Sequence, residues 1–198
     1  GSTTPAPWIN VLANPQFGCH VSADACGAIW SGNARENQLT PWSNDVVSDP
    51  PGDVLYVRDL ESGHVWSPTR APAGEGATRI TRHGFGYTRF HALAHGIETD
   101  LLQHVPLESP VRLARLTLRN LSSEPRPLSV TAAMVPATCV PWPWQSVLLP
   151  SPVVLVPQVA RPPKLVWLVL MPVSRMFCTE MGITTRPAVA TIASSNSA

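Results

Sequence analysis

The stretch VRLARLTLRN, residues 111–120, decides how the chain is read. Over most of its length it alternates, so that Ala114, Leu116 and Leu118 fall on one face and Arg115, Thr117 and Arg119 on the other. A period of two is the signature of a strand with one buried and one wet side. The next segment, LSSEPRP, has the composition of a turn and leads into LSVTA, a second β-rich run. Upstream, TRITRHG, YTRFHALAH and GIETDLLQHVPL are further strand candidates, separated by Gly84, Gly86 and Gly96. Before them, DVLYVRD and HVWSPT are short β-rich runs joined by LESG, a hairpin-turn sequence. Strands at this spacing, with no helical pattern between them, argue for an all-β antiparallel sandwich.

Composition narrows the function. A net charge of +1 over 198 residues gives no electrostatic case for nucleic acid or an anionic membrane surface. Lys164 is the only lysine, so the basic character is almost wholly arginine. Cys19, Cys26, Cys139 and Cys178 lack C-x-x-C spacing, which argues against zinc or thioredoxin-like chemistry and for free thiols in a reducing compartment. No signal peptide is evident, and the initial Gly-Ser reads as a scar or a cut within a longer protein. The longest unbroken apolar run, LVWLVLM at 165–171, falls far short of the roughly 20 residues a bilayer-spanning helix needs.

The chain divides near residue 132. Residues 1–132 carry the strand pattern; residues 133–198 hold one acid, Glu180, and ten of the 22 prolines. Proline lacks the N–H of a central strand and breaks helix interiors, so this apolar tail is expected to be poorly ordered. Three origins compete: a proline-rich extension, an irregular docking segment, or a frameshifted gene end. The third accounts best for so abrupt a change.

The segment SGNARENQLTPWSND, residues 31–45, fits neither strand nor helix. Its amides, Asn33, Asn37, Gln38 and Asn44, each donate and accept, as a sugar hydroxyl requires. Arg35 offers a planar fork for neighbouring hydroxyls or a phosphate, with Glu36 beside it. Trp42 supplies a broad face for stacking on a pyranose. Asn33, Arg35, Glu36, Asn37, Gln38 and Trp42 are therefore the candidate sugar-binding residues. A structural reading stands equally beside this one. Asn and Asp satisfy turn backbones, Arg35 and Glu36 pair with other charges, and Trp42 next to Pro41 is the residue best suited to fill core.

Other groupings carry less. His83, His91 and His95 lie on strand and turn sequence rather than on a helix, so a zinc site is not expected. Arg79, Arg82 and Arg89, with Tyr87 and Phe90, suit the border of an anionic or sugar ligand and equally a solvated strand face. Asp45, Asp49 and Asp53 lie in or beside the turn sequence SDPPGD and are set aside as catalytic carboxylates. HGFGYTRF lacks the spacing of a phosphate-cradling loop.

Several long runs carry a family resemblance: TPAPWINVLANPQFGCHVS, SGNARENQLTPWSNDVVSDPPGDVLYVRD, WSPT, RHGFGYTRF and the stretch from Gly96 to Thr131. In order, over about residues 3–132, they resemble the N-terminal β-sandwich (supersandwich) domain of glycoside hydrolase family 94. ENQLTPWSND and TPAPWINV bring the sequence nearest to the phosphorylase-like region of cyclic β-1,2-glucan synthases. The resemblance implies a sandwich that precedes a helical (α/α)₆ barrel, and the barrel carries the general-acid Asp and most of the phosphate site. It implies inverting phosphorolysis or remodelling of a β-glucan, with inorganic phosphate as co-substrate of the parent and no cofactor. It implies a cytoplasmic location, with an inner-membrane anchor elsewhere in some parents but no insertion of this region. The partners implied are a β-glucan oligosaccharide, the helical catalytic domain and a second copy in a homodimer. One departure stands out. AMVPATCVPW occupies the place of the family's next strand, with its aromatic-acidic-Trp pattern, so the sandwich is expected to be incomplete. The chain is thus expected to be an inactive carbohydrate-binding fragment; a free-standing carbohydrate-binding module and a structural docking or dimerisation domain are the alternatives.

Overall fold

The computed structural model describes residues 8–42, 50–74 and 77–134, and the backbone of 153–159 and 164–170. These residues form twelve strands, and every ladder between them is antiparallel. A small sheet holds β1 (Ile9–Asn14), β2 (Phe17–Ser22) and β3 (Ile29–Ser31) in that order. A second has the order β11-β10-β4-β5, formed by Val153–Val159, Arg126–Met134, Asp53–Asp59 and Val65–Trp66. A third runs β12-β9-β8-β7-β6, formed by Lys164–Leu170, Arg112–Asn120, Ile97–His104, Tyr87–Ala94 and Thr78–Gly84. The all-β antiparallel sandwich expected from the sequence is the fold observed.

The alternation that opened the reading holds residue by residue. On β9, Ala114, Leu116 and Leu118 are fully buried, while Arg119 is exposed and Arg115 and Thr117 are half-buried. β8 repeats the pattern with Ile97, Thr99, Leu101 and Gln103 inward, and β7 with Thr88, Phe90 and Ala92. Leu12, Phe17, Cys19 and Val21 of the small sheet join Val57, Leu128 and Val130 of the second and the inner face of the third in one core cluster. Three sheets therefore share one interior, which fixes the small sheet by its inner face and leaves its outer face open.

Turn chemistry agrees with turn sequence. In the β7–β8 hairpin, His95 (φ 49°) and Gly96 (φ 75°) both take the left-handed conformation that a two-residue primed turn demands. LESG is the β4–β5 turn, with the Asp59 carboxylate accepting the N–H groups of Glu61 (2.8 Å) and Ser62 (3.2 Å).

Within the tail, β11 flanks β10 and β12 flanks β9, each at the edge of its sheet. Pro157 sits on the edge strand β11, at the place where its register against β10 shifts between Arg126 and Leu128. That is where a residue without an N–H is tolerated. The rest of the chain after Met134, Cys139 and Cys178 included, lies outside the described residues, and with it the expected frameshift and poor order. Cys19 and Cys26 are both buried, and neither is in a disulfide. Among the described residues no helix is long and apolar enough to cross a membrane.

Candidate functional site

The site is built on the outer face of the small sheet. Alternation along β1 sends Leu12 into the core and leaves Ile9 and Val11 outside, each more than half exposed. Register places His20 opposite Val11 and Trp30 opposite Gly18, so these four residues share the outer face. The segment after β3 then folds back along it. The N–H of Ser31 donates to Asn37 O (3.1 Å), and the N–H groups of Leu39 and Thr40 donate to Ile29 O (2.8 and 3.3 Å). The buried Thr40 hydroxyl accepts the N–H of Ile29 at 2.8 Å and pins the return. Gln38 is thereby bridged to Trp30, and Trp42 comes edge-on to His20 with ring centroids 5.3 Å apart. His20 lies in turn 6.2 Å from the Trp30 ring.

The result is an open groove of about 210 Å³ lined by Ile9, Val11, His20, Trp30, Gln38 and Trp42 among others, with almost wholly apolar walls. Of the six candidate residues, Gln38 and Trp42 line it. Trp42 is 51% exposed, which corrects the reading of it as core filler: the chain emerges from the buried Thr40 and carries the indole back over the sheet. Asn33 serves its own turn, its Oδ1 accepting the N–H groups of Arg35 (2.8 Å) and Glu36 (3.1 Å). Arg35 and Glu36 pair with each other at 3.5 Å on the outside of that turn. Asn37 is exposed beside them, and Gln38 Nε2 donates to Ala34 O at 3.1 Å. Asn44 and Asp45 lie outside the described residues.

His20, Trp30, Ile9 and Val11 were not anticipated as site residues. The apolar outward positions of β1 were a signal, since a two-faced apolar strand must cover something on each side.

Several residues of the remaining groupings make contacts within the fold, and Asp49 lies outside the described residues. Arg79 clamps the 67–77 loop through the carbonyls of Gly74, Ser67 (3.1 Å) and Ala77 (3.4 Å). Arg89 pairs with Asp100 through Nε at 2.8 and 3.0 Å. The three histidines go separate ways: His83 to the Thr88 hydroxyl (3.1 Å), His91 to Glu98 (2.9 Å), and His95 to a stack on His64 (4.8 Å). Asp53 is paired with the buried Arg112. Among the described residues no three His, Cys, Asp or Glu side chains gather to hold a metal.

Fold and groove together define an antiparallel β-sandwich domain that presents an aromatic, apolar surface from its smallest sheet. The chain belongs to glycosyl hydrolase family 94, whose supersandwich domain matches residues 1–139. It is 47% identical over 131 residues to cyclic beta-(1,2)-glucan synthase NdvB of Rhizobium meliloti (strain 1021), a match covering 66% of this chain and 5% of that protein. Over 128 residues it is 30% identical to N,N'-diacetylchitobiose phosphorylase of Vibrio furnissii, covering 63% and 16%. Over 133 residues it is 29% identical to solabiose phosphorylase of Paenibacillus borealis, covering 66% and 17%. The chain thus matches between 5% and 17% of the length of these relatives.

Proposed function

We propose that this supersandwich domain binds a β-glucan oligosaccharide in the groove beside Trp42, holding sugar for a catalytic unit contributed by other sequence of a phosphorylase or glucan-synthase-like enzyme. The observation that carries the reading is the exposed Trp42 indole standing over a groove floored by a second indole, Trp30. Two indole faces suit the C–H surfaces of pyranose rings, and a rigid sandwich positions them without a large ordering penalty. The relatives are named for making a glucan or phosphorolysing disaccharides, which points to the same ligand class.

On this reading the domain needs no cofactor. Inorganic phosphate is the co-substrate of the complete enzyme, and the helical catalytic domain and a second copy of the chain are its protein partners. Nucleic acid and membrane insertion play no part, the location is cytoplasmic, and the division at residue 132 separates the binding domain from its tail.

Calorimetric titration of the full chain with β-1,2-gluco-oligosaccharides is expected to give saturable binding. Trp42→Ala should weaken that binding by about tenfold, the order of one stacking contact, while leaving the melting temperature nearly unchanged because the side chain is exposed. Equal binding by the variant would remove Trp42 from the site.

The apolar walls favour a second reading. Trp8, next in sequence to Ile9 of the groove, is 70% exposed, and with the groove it suits a docking face for the catalytic unit. Light scattering that showed self-association unaffected by excess oligosaccharide would move the assignment to docking.

A further inference from the structure

We propose that His64 and His95 form a two-imidazole site for a divalent transition-metal ion of the zinc, nickel or copper class. The inference is independent of the groove, whose lining contains neither residue. His64 follows Gly63 at the end of the LESG turn between β4 and β5, and His95 opens the two-residue turn between β7 and β8. These hairpins belong to different sheets, yet their imidazoles stack, with centroids 4.8 Å apart and planes 15° from parallel. Both residues are exposed. Among the described residues neither ring has a hydrogen-bond or ion-pair partner, whereas His83 and His91 are bonded to Thr88 and Glu98. The ring nitrogens of the stacked pair are therefore unspent.

The backbone holds the pair in place. The Arg126 guanidinium donates to His95 O from Nη1 and to the Asp59 carboxylate from Nε (2.8 Å) and Nη2. Asp59 donates its own N–H to His64 O at 2.9 Å, so one arginine brackets both turns. With the two turns fixed, gathering the rings around an ion costs little ordering. Imidazole nitrogen binds these metals at about 2.0–2.1 Å, so two nitrogens sharing one ion stand at most about 4 Å apart. Parallel rings at 4.8 Å reach that by tilting toward each other, a movement open to exposed side chains. Two imidazoles are half of a tetrahedral set, with water completing it. Binding at about micromolar is expected, far weaker than in a closed structural zinc site. A bound ion would tie the β4–β5 hairpin to the β7–β8 hairpin, and so the second sheet to the third.

Calorimetric titration of the full chain with Ni²⁺ tests this. His64→Phe keeps a flat ring in the stack and removes the ligand, while His95→Asn keeps a residue suited to the left-handed turn. Each should weaken Ni²⁺ binding by about tenfold or more. His91→Gln, which removes the imidazole paired with Glu98, should leave it unchanged. Thermal melts without metal establish that the variants fold. Saturating Ni²⁺ should then raise the melting temperature of the parent and of His91→Gln, but not of the other two. Equal binding by parent, His64→Phe and His95→Asn would overturn the proposal, as would a parent that binds no Ni²⁺ below about millimolar concentration. Loss of binding in His91→Gln alone would move the ion to the His91–Glu98 pair and overturn it as well.

Discussion

Replacing Arg112 by methionine is expected to destabilise the fold by about 3–5 kcal/mol, seen as a fall in the urea midpoint at unchanged slope. Arg112 opens β9 on its core-facing side, and its side chain is 3% exposed. The guanidinium Nη2 donates to Asp53 Oδ2, at the start of β4, so one ion pair ties the third sheet to the second. Cys19 of the small sheet faces the same point. Burial pushes its thiol up to about 11 against the opposing pull of Arg112, so at neutral pH it stays a neutral S–H and leaves Asp53 as the counter-ion. Methionine matches the length of the arginine stem but strands a carboxylate that is itself 13% exposed. The loss comes from that unpaired charge more than from the missing attraction. Pairing Arg112→Met with Asp53→Leu should therefore recover most of the stability, since an apolar pair replaces an ionic one. An Arg112→Met variant within about 1 kcal/mol of the parent would show that the sheets are held by their apolar contacts alone.

The sequence makes the third sheet plain because burial there follows local alternation. Leu116 and Leu118 announce an inner face without reference to any distant residue, and LESG and Gly96 mark the hairpins by their own chemistry. The small sheet is harder to read for an opposite reason. In INVLAN the inward and outward residues are both partly apolar, so the pattern does not say which face is core. What settles it is distant. Asn10 Nδ2 donates to the carbonyls of Gly84 (3.0 Å) and Tyr87 (2.8 Å), and Asn14 Nδ2 to those of Pro106 (2.7 Å) and Ser109 (2.8 Å). Arg112 is similar. It lies in phase with Ala114 on the buried face, but the partner that makes a buried arginine tolerable is 59 residues earlier.

The candidate site was legible in one part. A loop with a tryptophan between polar residues drew attention to Gln38 and Trp42, which line the groove, but left Trp42 open to a core reading that its 51% exposure corrects. Asn33 spends its oxygen on two backbone N–H groups of its own turn, a use that composition cannot separate from ligand binding. The other half of the groove, Trp30 over Gly18, depends on a cross-strand register between β2 and β3 that no linear motif encodes.

Acid should weaken the fold in a narrow window, and Asp59→Asn should remove that sensitivity. Asp59 closes β4 and is 1% exposed. Burial alone would raise its pKa. The guanidinium of Arg126 and the N–H groups of Glu61 and Ser62 outweigh it and hold the carboxyl at about 2, below its ordinary 3.8. The Arg126 Nε contact is 2.8 Å, and Nη2 meets the same oxygen. A folded-state pKa below the unfolded one means that the unfolded chain takes up the proton first. The stabilising contribution is therefore complete above about pH 4 and disappears as pH falls through about 2. A depression of this size is worth about 2 kcal/mol. Asn keeps an oxygen for the two turn N–H groups but has no charge to titrate. Urea unfolding at pH 6 and near pH 2 should then show the parent losing about 2 kcal/mol more than Asp59→Asn across the interval. Arg126→Met serves as the partner control, because it returns the carboxyl toward its ordinary range and so shrinks the acid loss. Parallel pH profiles for parent and Asp59→Asn would mean that the Asp59–Arg126 pair contributes no charge-dependent stability, and that the β4–β5 turn is held by its neutral hydrogen bonds.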